Sequence, residues 1–230
     1  MPTTLITGAN KGLGHEAARR LVAHGHDVWI AARDPERGRA AAEALGARFV
    51  QLDVTDDASV AAAAAYVGEE GGLDVLVNNA GVVGPRRSVS ETRPEDVGEV
   101  LATNVLGVIR VTQAFVPVLE GSEHPVVVNV SSGMGSNALT TDPERVESTI
   151  VSLDYPTSKA ALNMLTTQYA KALPRFRINA VDPGYTSTDF NDHRGTQSVQ
   201  EGTDAIVAMA NVAADGPTGT FTDRAGSVPW

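Results

Sequence analysis

The chain has 230 residues, with 18 lysines and arginines against 28 aspartates and glutamates, a formal net charge of −10. Its 42% hydrophobic and 20% charged content is that of a folded globular protein with enough length for a sizeable core, not of a disordered chain. The absence of cysteine excludes a disulfide scaffold, thiolate metal sites and a cysteine nucleophile, and the acidic pI of about 4.9 argues against wrapping nucleic acid or an anionic membrane.

The opening residues lack the basic start and long apolar core of a signal peptide. No apolar run is read as approaching the roughly 20 residues that span a bilayer. A cytoplasmic protein is the expectation.

Residues 3–7 read as a first strand that ends at a glycine-rich turn. Residues 12–24 read as a helix, because Leu13, Ala17, Leu21 and Val22 recur at helical spacing. A second strand is predicted over 27–31, then a helix over 35–45 with Pro35 in its first turn. A third strand covers 48–52. An alanine-rich helix over 56–67 opens with acids, which suit the positive end of its dipole. Residues 73–77 and 125–130 are continuously apolar strands, separated by helices over 94–103 and 105–119. A helix over 155–172, a sixth strand over 177–181, a helix over 200–211 and a short strand over 219–221 complete the chain. Residues 133–153 have weak periodicity and mixed charge and read as one long loop, with Met134, Asp142, Glu144, Arg145 and Glu147 along it.

Strands apolar on both faces and separated by helices imply a parallel sheet covered on both sides. Right-handed crossovers then give an α/β fold with one doubly wound, Rossmann-type sheet. A single domain over 1–230 follows, since no Pro-, Gly- or Ser-rich linker interrupts it.

Between the first strand and first helix lies Thr7-Gly8-Ala9-Asn10-Lys11-Gly12-Leu13-Gly14. Glycines there allow positive φ and close backbone approach to a pyrophosphate, and the next helix offers free N–H groups to the anion. The spacing is G-x-x-x-G-x-G rather than the G-x-G-x-x-G of the usual dinucleotide turn.

Four further motifs follow in order: Asn78-Asn79-Ala80-Gly81, Val128-Asn129-Val130-Ser131-Ser132, Tyr155-Pro156-Thr157-Ser158-Lys159, and Asp182-Pro183-Gly184-Tyr185-Thr186-Ser187-Thr188. With the glycine turn, this set resembles the short-chain dehydrogenase/reductase family, and its carbonyl-reductase-like branch in particular.

An i, i+4 pair such as Tyr155 and Lys159 shares one helix face. Bringing a tyrosine from a pKa near 10 to about 7 takes about 4 kcal/mol, which one ammonium about 4 Å away supplies at an effective dielectric near 20. The pair is therefore suited to acid/base work. The resemblance implies that Tyr155 exchanges a proton with the substrate oxygen. It implies that Lys159 lowers the tyrosine pKa and bonds the nicotinamide ribose, that Ser132 orients the substrate oxygen, and that Asn104 holds a water of the relay. On its own terms Asn104 also reads as a helix cap, and Ser131 is a second candidate serine. Ser132 and Tyr155 are 23 positions apart, more than in many members of the family. The 133–153 segment is expected to line one side of the substrate cleft.

The second predicted strand ends Ile30-Ala31-Ala32-Arg33 with no acid at its end. Arg33 and Lys11 therefore favour a 2′-phosphate, hence NADPH/NADP+ over NADH. Asp34 is expected to cap the next helix. By resemblance the cofactor is contacted by Gly8, Asn10, Lys11, Gly12, Leu13, Gly14, Arg33, Asp53, Val54, Asn79, Ala80, Gly81, Tyr155, Lys159, Pro183, Gly184, Thr186 and Thr188. Asn79 has an equally good structural reading, and Tyr185 and Phe190 divide between cleft and core. His24 and His26 are expected to be exposed, and no metal spacing is present.

The expected activity is reduction of a small-molecule ketone or aldehyde to an alcohol. An alcohol dehydrogenase working mainly in oxidation and an idle nucleotide sensor on the same fold are the alternatives. Monomer and homo-oligomer both stay open.

Overall fold

A computed structural model describes residues 1–230. It contains one eight-stranded sheet in the order β3-β2-β1-β4-β5-β6-β7-β8. The strands are β1 (Thr3–Thr7), β2 (Asp27–Ala32), β3 (Arg48–Gln51), β4 (Val75–Asn78), β5 (Val126–Val130), β6 (Arg177–Val181), β7 (Phe221–Asp223) and β8 (Gly226–Ser227). All pairs are parallel except β7 with β8. Strand order reverses between β1 and β4, the point at which a doubly wound sheet opens a crevice beyond its carboxyl ends.

Alternate residues of each strand supply two cores. Ile6, Val28, Ile30, Val77 and Val128 pack against Ala17 and Leu21 of α1 (Gly12–Ala23), the alanines of α2 (Pro35–Leu45) and Ile206. On the other face Leu5, Trp29, Leu76, Val127 and Ile178 meet α3 (Asp57–Glu69) and the helix that carries Val111, Phe115 and Leu119. Each buried Leu, Ile or Phe contributes about 1.5–3 kcal/mol by leaving water.

Four expectations change in the structure. Residues 94–119 form one continuous helix rather than two. α4 (Pro94–Leu101) passes through a π-turn, Ala102–Gly107, into α5 (Val108–Leu119). No glycine–proline break lies between them, and the side chain of Asn104 holds the widened turn by its own hydrogen bonds. At 26 residues, with mean hydropathy 1.4 over an 18-residue window, this helix is long and apolar enough to cross a bilayer, but Val111, Phe115 and Leu119 are fully buried in the sheet's core.

The 133–153 segment is not one loop. It holds a 3₁₀ turn (Gly133–Gly135), α6 (Asn137–Thr141) capped by Ser136, and a second 3₁₀ turn (Val146–Thr149). These turns are too short to show helical periodicity, which is why the sequence hides them.

The last predicted helix is split at the fully buried Thr203. After α7 (Tyr155–Ala172) come α8 (Val199–Gly202) and α9 (Asp204–Ala210). A β-carbon on Gly202 would lie 2.2 Å from Thr186 Oγ1, so this glycine lets α8 press against the loop after β6. His26, expected outside, is 6% exposed and sits between Thr4 Oγ1 (2.7 Å) and Asn211 Oδ1 (3.1 Å). His24 is exposed as expected, and Asp34 caps α2 by accepting from the N–H groups of Glu36 and Arg37.

Candidate active site

A cleft of about 1030 Å³ runs across the carboxyl ends of β1, β4, β5 and β6. Its floor at one end is the glycine turn. Gly8 (φ +64°) and Gly12 (φ +59°) both occupy the left-handed region, which glycine adopts without strain. A β-carbon on Gly14 would lie 2.5 Å from Asn79 Nδ2 and 2.9 Å from Ala9 Cα, so only glycine lets α1 approach β4 this closely. No side chain caps the start of α1 and no acid stands in its first turn. Its N-terminal N–H groups and dipole therefore face the cleft uncompensated, as an anion site requires.

The sequence assigned two readings to Asn79, and the structure shows the structural one in detail. Its Nδ2 donates to Thr7 O (2.8 Å) and Gly8 O (3.3 Å), while the Asn79 and Ala80 N–H groups donate to Thr7 Oγ1 (3.0 Å each). The residue also lines the cleft. Deeper in the sheet, Asn78 donates to Asn129 Oδ1 and Thr112 Oγ1, and Asn129 to Thr166 Oγ1. This buried ladder ties β4, β5, α5 and α7 together.

Of the residues expected to meet a nucleotide, Gly8, Asn10, Lys11, Gly12, Leu13, Gly14, Arg33, Asp53 and Val54 lie along one half of the cleft wall. Asn79, Ala80, Gly81, Pro183, Gly184, Thr186 and Thr188 continue it. Arg33 lies close enough to Asp53 to help hold that carboxyl low, behind the larger effect of the Thr55 hydroxyl and N–H.

The other half holds Ser132, Tyr155 and Lys159. Tyr155 opens α7 at its first position, where the Asp154 side chain accepts its N–H at 2.6 Å. The Tyr155 and Ser132 hydroxyls are near enough for Ser132 to lower the phenol's pKa, but burial dominates and drives it well above the ordinary tyrosine value. Lys159 Nζ donates to Val130 O at 2.8 Å and stands 5.5 Å from the centre of the Tyr155 ring. Burial lowers Lys159 to about 8, against a smaller upward pull from Asp182. The expected lowering of Tyr155 by Lys159 is thus not what the protein by itself produces. The ammonium is tethered to β5, and desolvation of the phenol is the larger effect.

Ser131 and Ser132 separate cleanly. Ser131 is buried and donates to Asn163 Oδ1 at 2.6 Å, whereas Ser132 accepts from the Met134 N–H (3.2 Å) and faces Tyr155.

Asn104 is the one expected site residue that does not line the cleft. It is 1% exposed behind the wall, where Oδ1 accepts from Val82 N–H and Nδ2 donates to Val82 O (2.9 Å each) and to Ser158 Oγ (3.0 Å). The helix-cap reading also falls, because the residue lies inside the π-turn.

The sequence singled out part of the rim, the 133–153 segment with Tyr185 and Phe190, but not Val83 and Pro85. Val83, Pro85, Ile150 and Val151 join Tyr185 and Phe190 around the mouth, and Phe190 meets the Tyr155 ring edge-on at 5.7 Å. Tyr185 and Phe190 therefore belong to the cleft, not the core. Met134, Ile150, Val151 and Ser152 bring the two ends of the 133–153 segment to the cleft, while Asp142, Glu144, Arg145 and Glu147 stay outside its lining. No local pattern marks Val83 and Pro85, because they reach the rim only through loop geometry.

The model of the short chain dehydrogenase family matches residues 2–198. The chain belongs to the short-chain dehydrogenase family. It is 34% identical to (+)-neomenthol dehydrogenase of Arabidopsis thaliana over 96% of this chain and 95% of that one. It is 32% identical to salutaridine reductase of Papaver somniferum over 95% and 93%. The alignment with the Arabidopsis protein covers 281 positions against the 230 residues of this chain, so at least 51 positions of that relative have no counterpart here. Among solved structures, NADPH-bound carbonyl reductase from chicken fatty liver superposes with a TM-score of 0.88 at 29% identity, covering 100% of this chain and 99% of that one. As a short-chain dehydrogenase the protein is an oxidoreductase of a nicotinamide-using family. Its own residues fit that group: an uncapped helix start, a left-handed Gly12 whose β-carbon would meet only Thr188 Cγ2 at 4.0 Å, and two cations, Lys11 and Arg33, at one end of the cleft.

Proposed function

We propose that the protein reduces a ketone or aldehyde to an alcohol, with NADPH as hydride donor and Tyr155 as proton donor. The observation that carries this reading is the meeting of the Tyr155 and Ser132 hydroxyls with Lys159 in the same cleft as the glycine turn. The names of the plant relatives and the NADPH-bound carbonyl reductase support it.

A bound reduced nicotinamide supplies the hydride. Ser132 is placed to donate a hydrogen bond to the substrate oxygen, since a hydroxyl both donates and accepts. Tyr155 then delivers its proton to that oxygen as negative charge grows on it. A raised phenol pKa suits this direction. The group stays protonated at neutral pH, and an alkoxide, with basicity near that of hydroxide (water's pKa is about 15.7), still takes its proton. Lys159, in contact range of both the β5 end and the tyrosine ring, supplies positive charge beneath the developing phenolate. Asn104 fixes the Val82 backbone and Ser158, one residue from Lys159, and so steadies the wall. Lys11 and Arg33 favour a 2′-phosphate, each charge-assisted contact adding about 1.5–3 kcal/mol, or roughly 10- to 150-fold.

The test is NADPH consumption by the wild type and Tyr155→Phe over a panel of ketones and aldehydes. General-acid loss is expected to lower turnover by about 10²- to 10⁴-fold with NADPH binding retained. Equal rates would remove Tyr155 from the mechanism. NADPH binding with no turnover on any substrate would favour the sensor reading.

A further inference from the structure

Behind Ser132 lies a carboxylate that the proton transfer above does not use. Asp182 is the first residue after β6 and is 6% exposed. Its N–H donates to Thr222 O of β7 at 2.8 Å, and beside it the Ser131 N–H donates to Val181 O at 2.8 Å. The carboxylate is thus held at the seam where β5, β6 and β7 end. Asp182 Oδ1 accepts from the Gly184 N–H at 2.9 Å. The Gly133 N–H faces the same carboxylate in a weaker contact. A β-carbon on Gly133 would lie 3.0 Å from Asp182 Oδ2 and 2.7 Å from Glu147 Oε1, so the turn after Ser132 packs directly against two acids.

Neither Lys nor Arg stands within ion-pair distance of Asp182. Burying a carboxylate without an ion partner is unfavourable unless hydrogen bonds to its oxygens compensate. The one hydrogen bond to its oxygens comes from the Gly184 N–H of the turn after β6, and the Gly133 N–H of the turn after Ser132 faces the same carboxylate; burial outweighs both and raises the carboxyl pKa. Glu147 has a counter-ion of its own, with Arg145 Nε and Nη2 each 3.3 Å from its oxygens.

We propose that Asp182 is a positioning residue for the reaction, its carboxylate joining the Ser132–Gly133 turn to the Pro183–Gly184 turn and so fixing the Ser132 hydroxyl relative to Tyr155. The inference rests on the reductase reading above. A carboxylate suits the task because its two oxygens accept several N–H groups at once, whereas an amide at the same place offers one acceptor and a competing donor.

Asp182→Asn is near isosteric and removes one acceptor and the charge. The expected result is a kcat lower by about 10- to 100-fold, the scale of a slightly misplaced group, with the NADPH dissociation constant from fluorescence within about 3-fold. A pH profile separates positioning from bulk structure. The charged and titratable groups around Asp182 are Tyr155 and Lys159 from α7, Arg145 and Glu147 from the segment before it, and Asp223 from β7. Loss of the Asp182 charge removes an anion that favours charged Lys159, so the alkaline limb is expected to move to lower pH.

Glu147→Gln removes the neighbouring charge and leaves both N–H contacts to Asp182, so its kcat is expected within about 2-fold of wild type. An Asp182→Asn enzyme with unchanged kcat and profile would overturn the proposal. So would a Glu147→Gln loss as large as that of Asp182→Asn. Amide exchange of the wild type gives a check that needs no variant to fold. The Gly184 N–H has no backbone acceptor, so slow exchange there supports the joint, and exchange at the rate of an unstructured peptide contradicts it. A wild type without NADPH-dependent turnover would sink the reductase reading, while the exchange result would still judge the joint.

Discussion

Lys159 Nζ donates to the Val130 carbonyl at 2.8 Å and leaves the Tyr155 ring centre 5.5 Å away. The lysine is thereby anchored to the end of β5, level with Ser131 and Ser132, instead of being paired with the tyrosine one turn back. Its burial sets its titration. Lys159 is held near pKa 8, below the 10.5 of an exposed lysine.

That depression has a stability consequence. The penalty for burying the ammonium is fully present below about pH 8 and vanishes above about pH 10.5. At pH 7 it amounts to at most about 3 kcal/mol. Lys159→Met is expected to melt at or above the wild-type temperature at pH 7, with the difference shrinking towards pH 10.5, while turnover is lost. A variant clearly less stable than wild type at pH 7 would show that the Val130 hydrogen bond outweighs desolvation. In the wild type, kcat/KM for reduction, which reports the free enzyme, is expected to fall above about pH 8 as Lys159 loses its proton. A limb near pH 10 would contradict this.

Lys11 reaches across the cleft mouth to Asp189 at 3.1 Å, so the cation expected to meet a 2′-phosphate already has an internal anion. Asp189 is held low by the same contact. Both groups are exposed, and an exposed pair is weak and easily exchanged. Asp189→Asn is therefore expected to tighten NADPH binding by a few-fold and leave NADH unchanged. Lys11→Ala is expected to weaken NADPH by about 10-fold or more with little effect on NADH. Binding titrations of both cofactors against the three proteins decide it, and parallel changes for NADH and NADPH would refute a phosphate-specific role.

His26 belongs to stability rather than chemistry. Its ring joins Thr4 of β1 to Asn211 at the end of α9, away from the cleft. His26→Ala leaves a cavity and a buried hydroxyl without a partner, which costs about 2–4 kcal/mol. Thermal melts are expected to show that loss with turnover per folded molecule unchanged. A drop in kcat at a temperature where the variant is folded would point to an unseen link with the site.

Ile150 and Val151 stand at the cleft mouth, 46% and 75% exposed. Exposed aliphatics at a rim suit apolar substrates. Val151→Asp is expected to lower kcat/KM for bulky apolar ketones several-fold and to leave NADPH binding intact. An unchanged ratio across small and bulky carbonyls would take this segment out of substrate selection.

The glycine turn, the tyrosine–lysine pair and the central strands were legible because each rests on local chemistry. Positive φ at Gly8 and Gly12, an i, i+4 spacing on α7 and a four- or five-residue apolar run all show within a few positions. The short turns of the 133–153 segment, the break at Thr203 and the two-residue strand β8 were not, because they are set by packing partners far away in the chain. The burial of His26 depends on Thr4 and Asn211, the latter 185 positions on. The isolation of Asn104 behind the wall depends on Val82 and Ser158.

By itself the sequence determined the parallel sheet, the order of its helices and the set of groups able to bind an anion and move a proton. Residue type and short spacing carry that information. Only the tertiary structure decided which serine faces Tyr155, that Lys159 is tethered to Val130, and that Asp182 lies between two turns. Those choices depend on distances between chain segments brought together by the sheet, and on how completely each charge is withdrawn from water.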